Sequence, residues 1–206
     1  MSRAAERAGV EHLLATDPAF AGIVAAAGAF NPRPPQRDYF NALVTAIAYQ
    51  QLAGRAAAAI HGRFLQLFDG PPTPRAVLAT PPEAIRAAGM SGAKTNSILD
   101  LALKVEDGTV PLDRIELLGD LEIVDRLSAV RGIGRWTAEM FLVFQLRRLD
   151  VWPVGDLAVR NGWGIIHGSS APAPKVLEAL GDPLRPYRTV AAWYCWRATD
   201  TVLPEG

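Results

Sequence analysis

Cysteine occurs once in the 206 residues, at position 195. A lone thiol cannot pair within the chain, and it falls three short of the four ligands of a cysteine-built zinc or iron–sulfur centre. Such usage suits a reducing, intracellular environment. Net charge is also missing, because 21 Lys and Arg balance 21 Asp and Glu. No global basic field therefore draws the protein to polyanions, and any site for one has to be local. Apolar runs long enough to span a bilayer are absent, and the opening MSRAAERAGVEHLLATD lacks the apolar stretch of a secretion signal. A cytoplasmic protein without membrane contact is expected, nucleoid-associated if bacterial. Strand-like alternation is scarce, and there is no internal repeat or low-complexity segment.

What the chain has is alanine and leucine, with apolar residues three and four apart. This spacing predicts an all-α protein of about ten helices. Asp17-Pro18 opens one through about Gly28, and NPRPPQ (31–36) breaks the chain. Asp38 caps YFNALVTAIAYQQLA, and Gly54 precedes RAAAAIHGRFLQLF. GPPTP and TPPEA place proline in the first turns of two short helices. Ser91 caps GAKTNSILDLALKV, LDRIELLGDLEIVDRLSAV reads as two short helices, and another runs from about Gly134 to Arg148. LAVRNGWGIIHG starts the next, SSAPAP is a loop, and a last helix begins near Pro186 and reaches Trp196.

The stretch VRGIGRWTAEMF, residues 130–141, concentrates the functional signal. Gly132 and Gly134 leave two positions without a Cβ at the mouth of a helix. The backbone there can turn tightly and admit another group. The helix that begins there offers unpaired N–H groups and the positive end of its dipole, which together suit a phosphate. An ordinary glycine-containing corner between helices would look the same. Between Arg126 and Arg160 six arginines face only Glu139, Asp150 and Asp156. The local basic excess fits a polyanion site, though charges on helices are more often a solvated face.

VRGIGRWTAEMFLVF followed by DVWPVGDLAVR resembles the helix–hairpin–helix DNA glycosylases, and within them the 3-methyladenine, alkylation-repair branch. DYFNALVTAIAYQQLA, GMSGAKTNSILDLA and RPYRTVAAWYCWR are similar to further segments of that family, in the same order. The resemblance implies one compact glycosylase domain over 1–206. Lobe A would be a central bundle over 38–148 carrying the hairpin 130–136. Lobe B would combine 1–37 with 149–206, and Asp156 would lie at a cleft between the two. The implied activity is base excision repair: a monofunctional hydrolysis of the bond between an alkylated base and its sugar in double-stranded DNA, after the nucleotide is flipped out of the stack. A monomer is expected.

The same resemblance assigns residues. Asp156 would be the catalytic carboxylate that stabilises an oxocarbenium-like sugar and orients or deprotonates water. An aspartate before Leu-Ala-Val is also a good helix cap, and the two roles are compatible. Trp136 stands where the bifunctional relatives carry a Schiff-base lysine. An indole has no amine for that chemistry, so no lyase activity is implied. Its face can instead stack on a cationic alkylated purine, unless it is simply a core residue. Trp196, Met140 and Tyr49 are expected to line the same base pocket, with Trp163 and Trp193 in the core. Gln51, with Gln50 and Ala53, would enter the minor groove, although a polar helix end needs no such role. Family members often have serine where this chain has Ala53, which leaves opposite-base reading open. Arg131, Gly132, Ile133, Gly134 and Arg135 would hold a phosphate, with Lys94 as a second contact. No metal or iron–sulfur cofactor is expected, although hairpin carbonyls in this family can hold a monovalent cation. A non-catalytic helix–hairpin–helix DNA-binding module is the main alternative. It would need neither Asp156 nor the aromatic residues.

Overall fold

The computed structural model describes residues 3–36, 38–52 and 54–200. Among them there are twelve α-helices and three short 3-10 turns, and no strand. The helices are α1 (Arg3–Thr16), α2 (Ala21–Ala27), α3 (Tyr39–Tyr49), α4 (Gly54–Leu65), α5 (Pro74–Ala79), α6 (Pro82–Ala87), α7 (Gly92–Glu106), α8 (Asp120–Ser128), α9 (Arg135–Phe144), α10 (Leu157–Ile166), α11 (Pro174–Leu180) and α12 (Arg188–Asp200). The 3-10 turns are Pro18–Phe20, Ile115–Leu117 and Asp182–Leu184.

Local chemistry explains most of the helix starts. Side-chain oxygens of Asp38, Thr73, Ser91 and Asp156 accept the amide hydrogen three residues on, satisfying first-turn donors of α3, α5, α7 and α10. Proline at the first turn of α5, α6 and α11 costs no hydrogen bond there, because that N–H has no partner within the helix.

Two compact units result, Gln36–Phe141 and Met1–Pro35 with Leu142–Gly206, and the division falls inside α9. In the first, α3, α5 and α6 pack on α7, and α4 packs on α3. Val44, Ile47, Phe64, Ile85, Ile98 and Leu101 are fully or almost fully buried. In the second, α10 lies against α12 along a cluster that includes Phe20, Trp152, Trp163, Trp193 and Tyr194. Each such aromatic or aliphatic side chain removed from water contributes on the order of 2 kcal/mol. Trp163 and Trp193 are core residues, as expected. Gly162 makes the packing of α10 on α12 possible, since a Cβ there would collide with the Cys195 carbonyl oxygen.

Two elements differ from the sequence reading. Helix α9 stops at Phe144 instead of reaching Arg148. Arg147 takes a left-handed backbone (φ 58°), and its guanidinium donates to the Pro32 and Arg33 carbonyls and to Glu6. These contacts turn the chain out of the helix. Helix α11, unforeseen, follows directly on the SSAPAP loop. It is held by the buried Leu177, whose carbonyl accepts the Trp152 indole N–H at 2.8 Å.

Candidate active site

In the unit Gln36–Phe141, the C-terminal end of α3, helix α7 and the hairpin 130–134 are tied together by side chains. Gln50 caps the end of α3 and donates through Nε2 to the Gly132 carbonyl at 3.0 Å. Lys94, in the first turn of α7, donates from Nζ to the Ala48 carbonyl at 2.7 Å. Burial pushes its ammonium below the ordinary lysine range. An ammonium has three donors, so this bond leaves Lys94 able to take a second acceptor. Gln51 is exposed and takes a left-handed backbone (φ 56°), which costs a non-glycine residue about 1 kcal/mol. It therefore projects from the end of the helix instead of continuing it. Ala53 lies outside the described residues.

The hairpin itself is built by residues the sequence reading did not single out. The Asp100 carboxylate accepts the Arg131 N–H at 2.7 Å and both-oxygen contacts from the Lys104 ammonium. Burial alone would raise the Asp100 pKa; the Arg131 N–H and Lys104 outweigh it and hold the carboxyl below its usual range. Gly132 adopts φ 78°, and a Cβ there would run into the Ser97 hydroxyl. The Ile133 N–H donates to the Val130 carbonyl at 3.0 Å and its side chain is buried. The amides of Arg131 and Ile133 are thus used in forming the turn. Ser97 and Asp100 stand three apart on α7, a spacing that puts both on one helix face. That spacing was the available signal for them.

Gly134 is different. Its carbonyl accepts the Ala138 N–H, so it is the residue from which α9 starts, and none of the described residues lies where its Cβ would be. Having no side chain, it cannot cap the helix, and the first-turn donors of α9 have no intrahelical acceptor. Trp136 follows and is 51% exposed, an unusual state for an indole in a first helical turn. Met140, four residues on and therefore on the same face, is half-buried. Tyr49 is exposed at the end of α3, its ring edge-on to His61 at 6.0 Å. Burial lowers the His61 pKa.

In the other unit, Asp156 precedes α10. It is 7% exposed, and its Oδ1 accepts the Val159 N–H at 3.0 Å. Its own N–H donates to the Pro153 carbonyl, so both the backbone and the carboxylate are fixed. Trp196, on α12, packs on the cluster beneath and lies nearly parallel to Phe144, with ring centres 5.6 Å apart. Cys195, beside it, is completely buried. Burial first, then the nearby Asp17 and Asp156 charges, push its thiol far above the usual range. Among the described residues no three His, Cys, Asp or Glu side chains gather as a metal site, and no helix is long and apolar enough to cross a membrane.

One unit carries a helix that starts at a glycine hairpin, and the other carries a buried, oriented carboxylate. The family is settled by residues 44–186, which match the HhH-GPD superfamily of base excision DNA repair proteins. This chain belongs to that superfamily. Within it, the chain is 34% identical to DNA-3-methyladenine glycosylase 1 of Schizosaccharomyces pombe over 194 residues, covering 91% of this chain and 85% of the relative. A solved DNA-3-methyladenine glycosidase from Bacillus halodurans superposes with a TM-score of 0.86 at 35% identity, covering 94% of this chain and 89% of that one. A Schizosaccharomyces pombe 3-methyladenine DNA glycosylase, solved in complex with abasic DNA, superposes with a TM-score of 0.82 at 33% identity, covering 94% and 97%. The all-α architecture expected from the sequence is thus the superfamily's fold.

Proposed function

We propose that this HhH-GPD protein is a monofunctional DNA glycosylase that removes alkylated bases, of the 3-methyladenine or 7-methylguanine kind, from double-stranded DNA, acting as a monomer. The observation that carries the catalytic part is Asp156: a carboxylate in a largely buried place, held in orientation by the Val159 N–H. Its relatives' names point to the same activity.

The chemistry follows from that group. The bond from C1′ of the sugar to the base nitrogen breaks, and its electron pair leaves with the base. Positive charge develops on the sugar ring, where a fixed carboxylate in a poorly hydrated setting stabilises it more than water would. Water then bonds to C1′, and its proton passes to Asp156. The product is an abasic strand. Alkylation has already made the base a cation and hence a good leaving group. Trp136 is exposed and offers π surface on which such a cation stacks, and Met140, Tyr49 and Trp196 are the further residues assigned to the base.

DNA is gripped at the hairpin. Gly134, Arg135 and the first turn of α9 supply the phosphate's donors, while Arg131, Gly132 and Ile133 hold the turn in shape and Lys94 supplies a second contact. Gln51, with Gln50 behind it, fills the space of the flipped nucleotide. A monovalent cation at the hairpin carbonyls would fit beside the phosphate. With no amine at Trp136, the enzyme leaves the strand uncut.

The test is to incubate the protein with duplexes that each carry one defined alkylated base, score free base, and add borohydride. Release of base with an intact abasic strand and no trapped adduct is expected. A borohydride-trapped complex would overturn the monofunctional reading, and DNA binding without any base release would favour a non-catalytic DNA-binding module.

A further inference from the structure

Helix α9 opens with Arg135 and has no acidic residue in its first turn. This reverses the usual arrangement, because the positive end of a helix dipole favours carboxylates and disfavours a guanidinium. One turn later the chain places Glu139, whose side chain is 7% exposed, and its Oε1 accepts the Arg135 Nε–H at 2.8 Å. The Arg135 side chain is 69% exposed. Among the described residues, a surface arginine next to Gly134 is thus held by a buried carboxylate at its inner nitrogen.

We propose that Glu139 is a positioning residue, which holds the Arg135 guanidinium as a preformed fork for a DNA phosphate. A guanidinium has five N–H donors, and the four on its terminal nitrogens suit the paired oxygens of a phosphate. A free arginine loses rotamer freedom when it binds. One already fixed at Nε loses less, a difference of about two- to tenfold in affinity for one long side chain. This inference rests on the reading of the hairpin as a phosphate site and names a further residue that makes it effective.

The experiment measures dissociation constants on an undamaged duplex and on one with a stable abasic analogue, across a salt series, with unfolding temperature as a control. Arg135→Ala is expected to weaken both duplexes alike and to reduce the slope of log affinity against log salt by about one. Glu139→Leu is expected to weaken binding about two- to tenfold in the wild-type background and not at all in the Arg135→Ala background. Glu139→Gln, which keeps an oxygen for Nε–H, is expected to restore binding. Arg135→Lys, which keeps the charge but has no Nε–H, is expected to lose the same factor as Glu139→Leu, and it tests the idea without disturbing the buried site. Equal loss from Glu139→Leu in both backgrounds, or full binding by Arg135→Lys, would overturn the positioning role. Unchanged affinity and salt slope in Arg135→Ala would instead show that Arg135 meets no phosphate, while Gly134 variants test the hairpin separately.

Discussion

Helices α9 and α10 begin in opposite ways. At α10 the residue before the helix is Asp156, and its carboxylate takes up the Val159 N–H, so that end is satisfied by the protein itself. At α9 the equivalent place is Gly134, which has no side chain and open space where one would be. The same peptide dipoles stand at both ends. At α10 they meet a carboxylate that they hold in place; at α9 the residue before the helix has no side chain to offer them. The two glycines of the hairpin divide in a related way: Gly132 is required by the fold, through its φ of 78° and the Ser97 hydroxyl, whereas among the described residues nothing lies within 4 Å of where a Gly134 Cβ would be.

Exchanging the properties of these ends breaks the comparison most severely. Asp156→Asn keeps the size of the cap and an oxygen for Val159, but removes the charge. Base release from a stable alkylated lesion is expected to fall about a hundredfold or more, with DNA affinity and unfolding temperature nearly unchanged. Near wild-type excision in a single-turnover assay would reduce Asp156 to a helix cap. Next comes Gly134→Asp, which gives α9 the cap that α10 has. The free protein should gain a few tenths of a kcal/mol of stability, while affinity for any duplex should drop about tenfold or more through repulsion of the phosphate. Paired calorimetric and fluorescence-anisotropy measurements would show the two effects with opposite sign; normal binding would mean that no phosphate sits there.

Gly132→Ala sharpens the division between the glycines. A side chain at this φ costs about 1 kcal/mol, and the meeting with Ser97 adds to it. A loss of about 1 to 2 kcal/mol is expected in urea unfolding, and part of it should return in the Ser97→Gly background. The smallest effect is expected at Asp100→Asn, about 1 kcal/mol at neutral pH. Asp100 titrates below its ordinary value in the folded protein. Its contribution is therefore present above the unfolded pKa of about 3.9 and is lost as the pH falls through the folded value. The gap between variant and wild type should close in acid; a gap that persists there would show that the Arg131 N–H does not depend on the charge.

How much of this was readable beforehand depends on how far apart the interacting residues are. The helical class, the Asp38 and Ser91 caps and the core place of Trp163 and Trp193 follow from local chemistry and spacing. Gly132 and Gly134 were both visible at the mouth of a helix, but their separate tasks were not, because the difference depends on Ser97. Asp100 reaches Arg131 across 31 positions and Gln50 reaches Gly132 across 82. No pattern within a single helix encodes such pairs. The early end of α9 was hidden for the same reason. Arg147 is a good helix former by propensity, and it leaves the helix because its partners lie at Glu6 and in the proline-containing stretch at 32–33. Glu139 is read from sequence as one more surface charge, and only its burial sets it apart.

The near-touching backbones of α10 and α12 at Gly162 and Cys195 have a consequence for survival. Reagents that methylate bases also methylate thiolates, and a sulfur nucleophile at the surface would be consumed in the conditions that call for repair. This chain has one sulfhydryl. It is sealed between two helices and kept in its protonated form, so it offers an electrophile neither access nor an anion to attack. The packing of α10 on α12 thereby keeps the chain's one thiol away from the alkylating agents that damage bases.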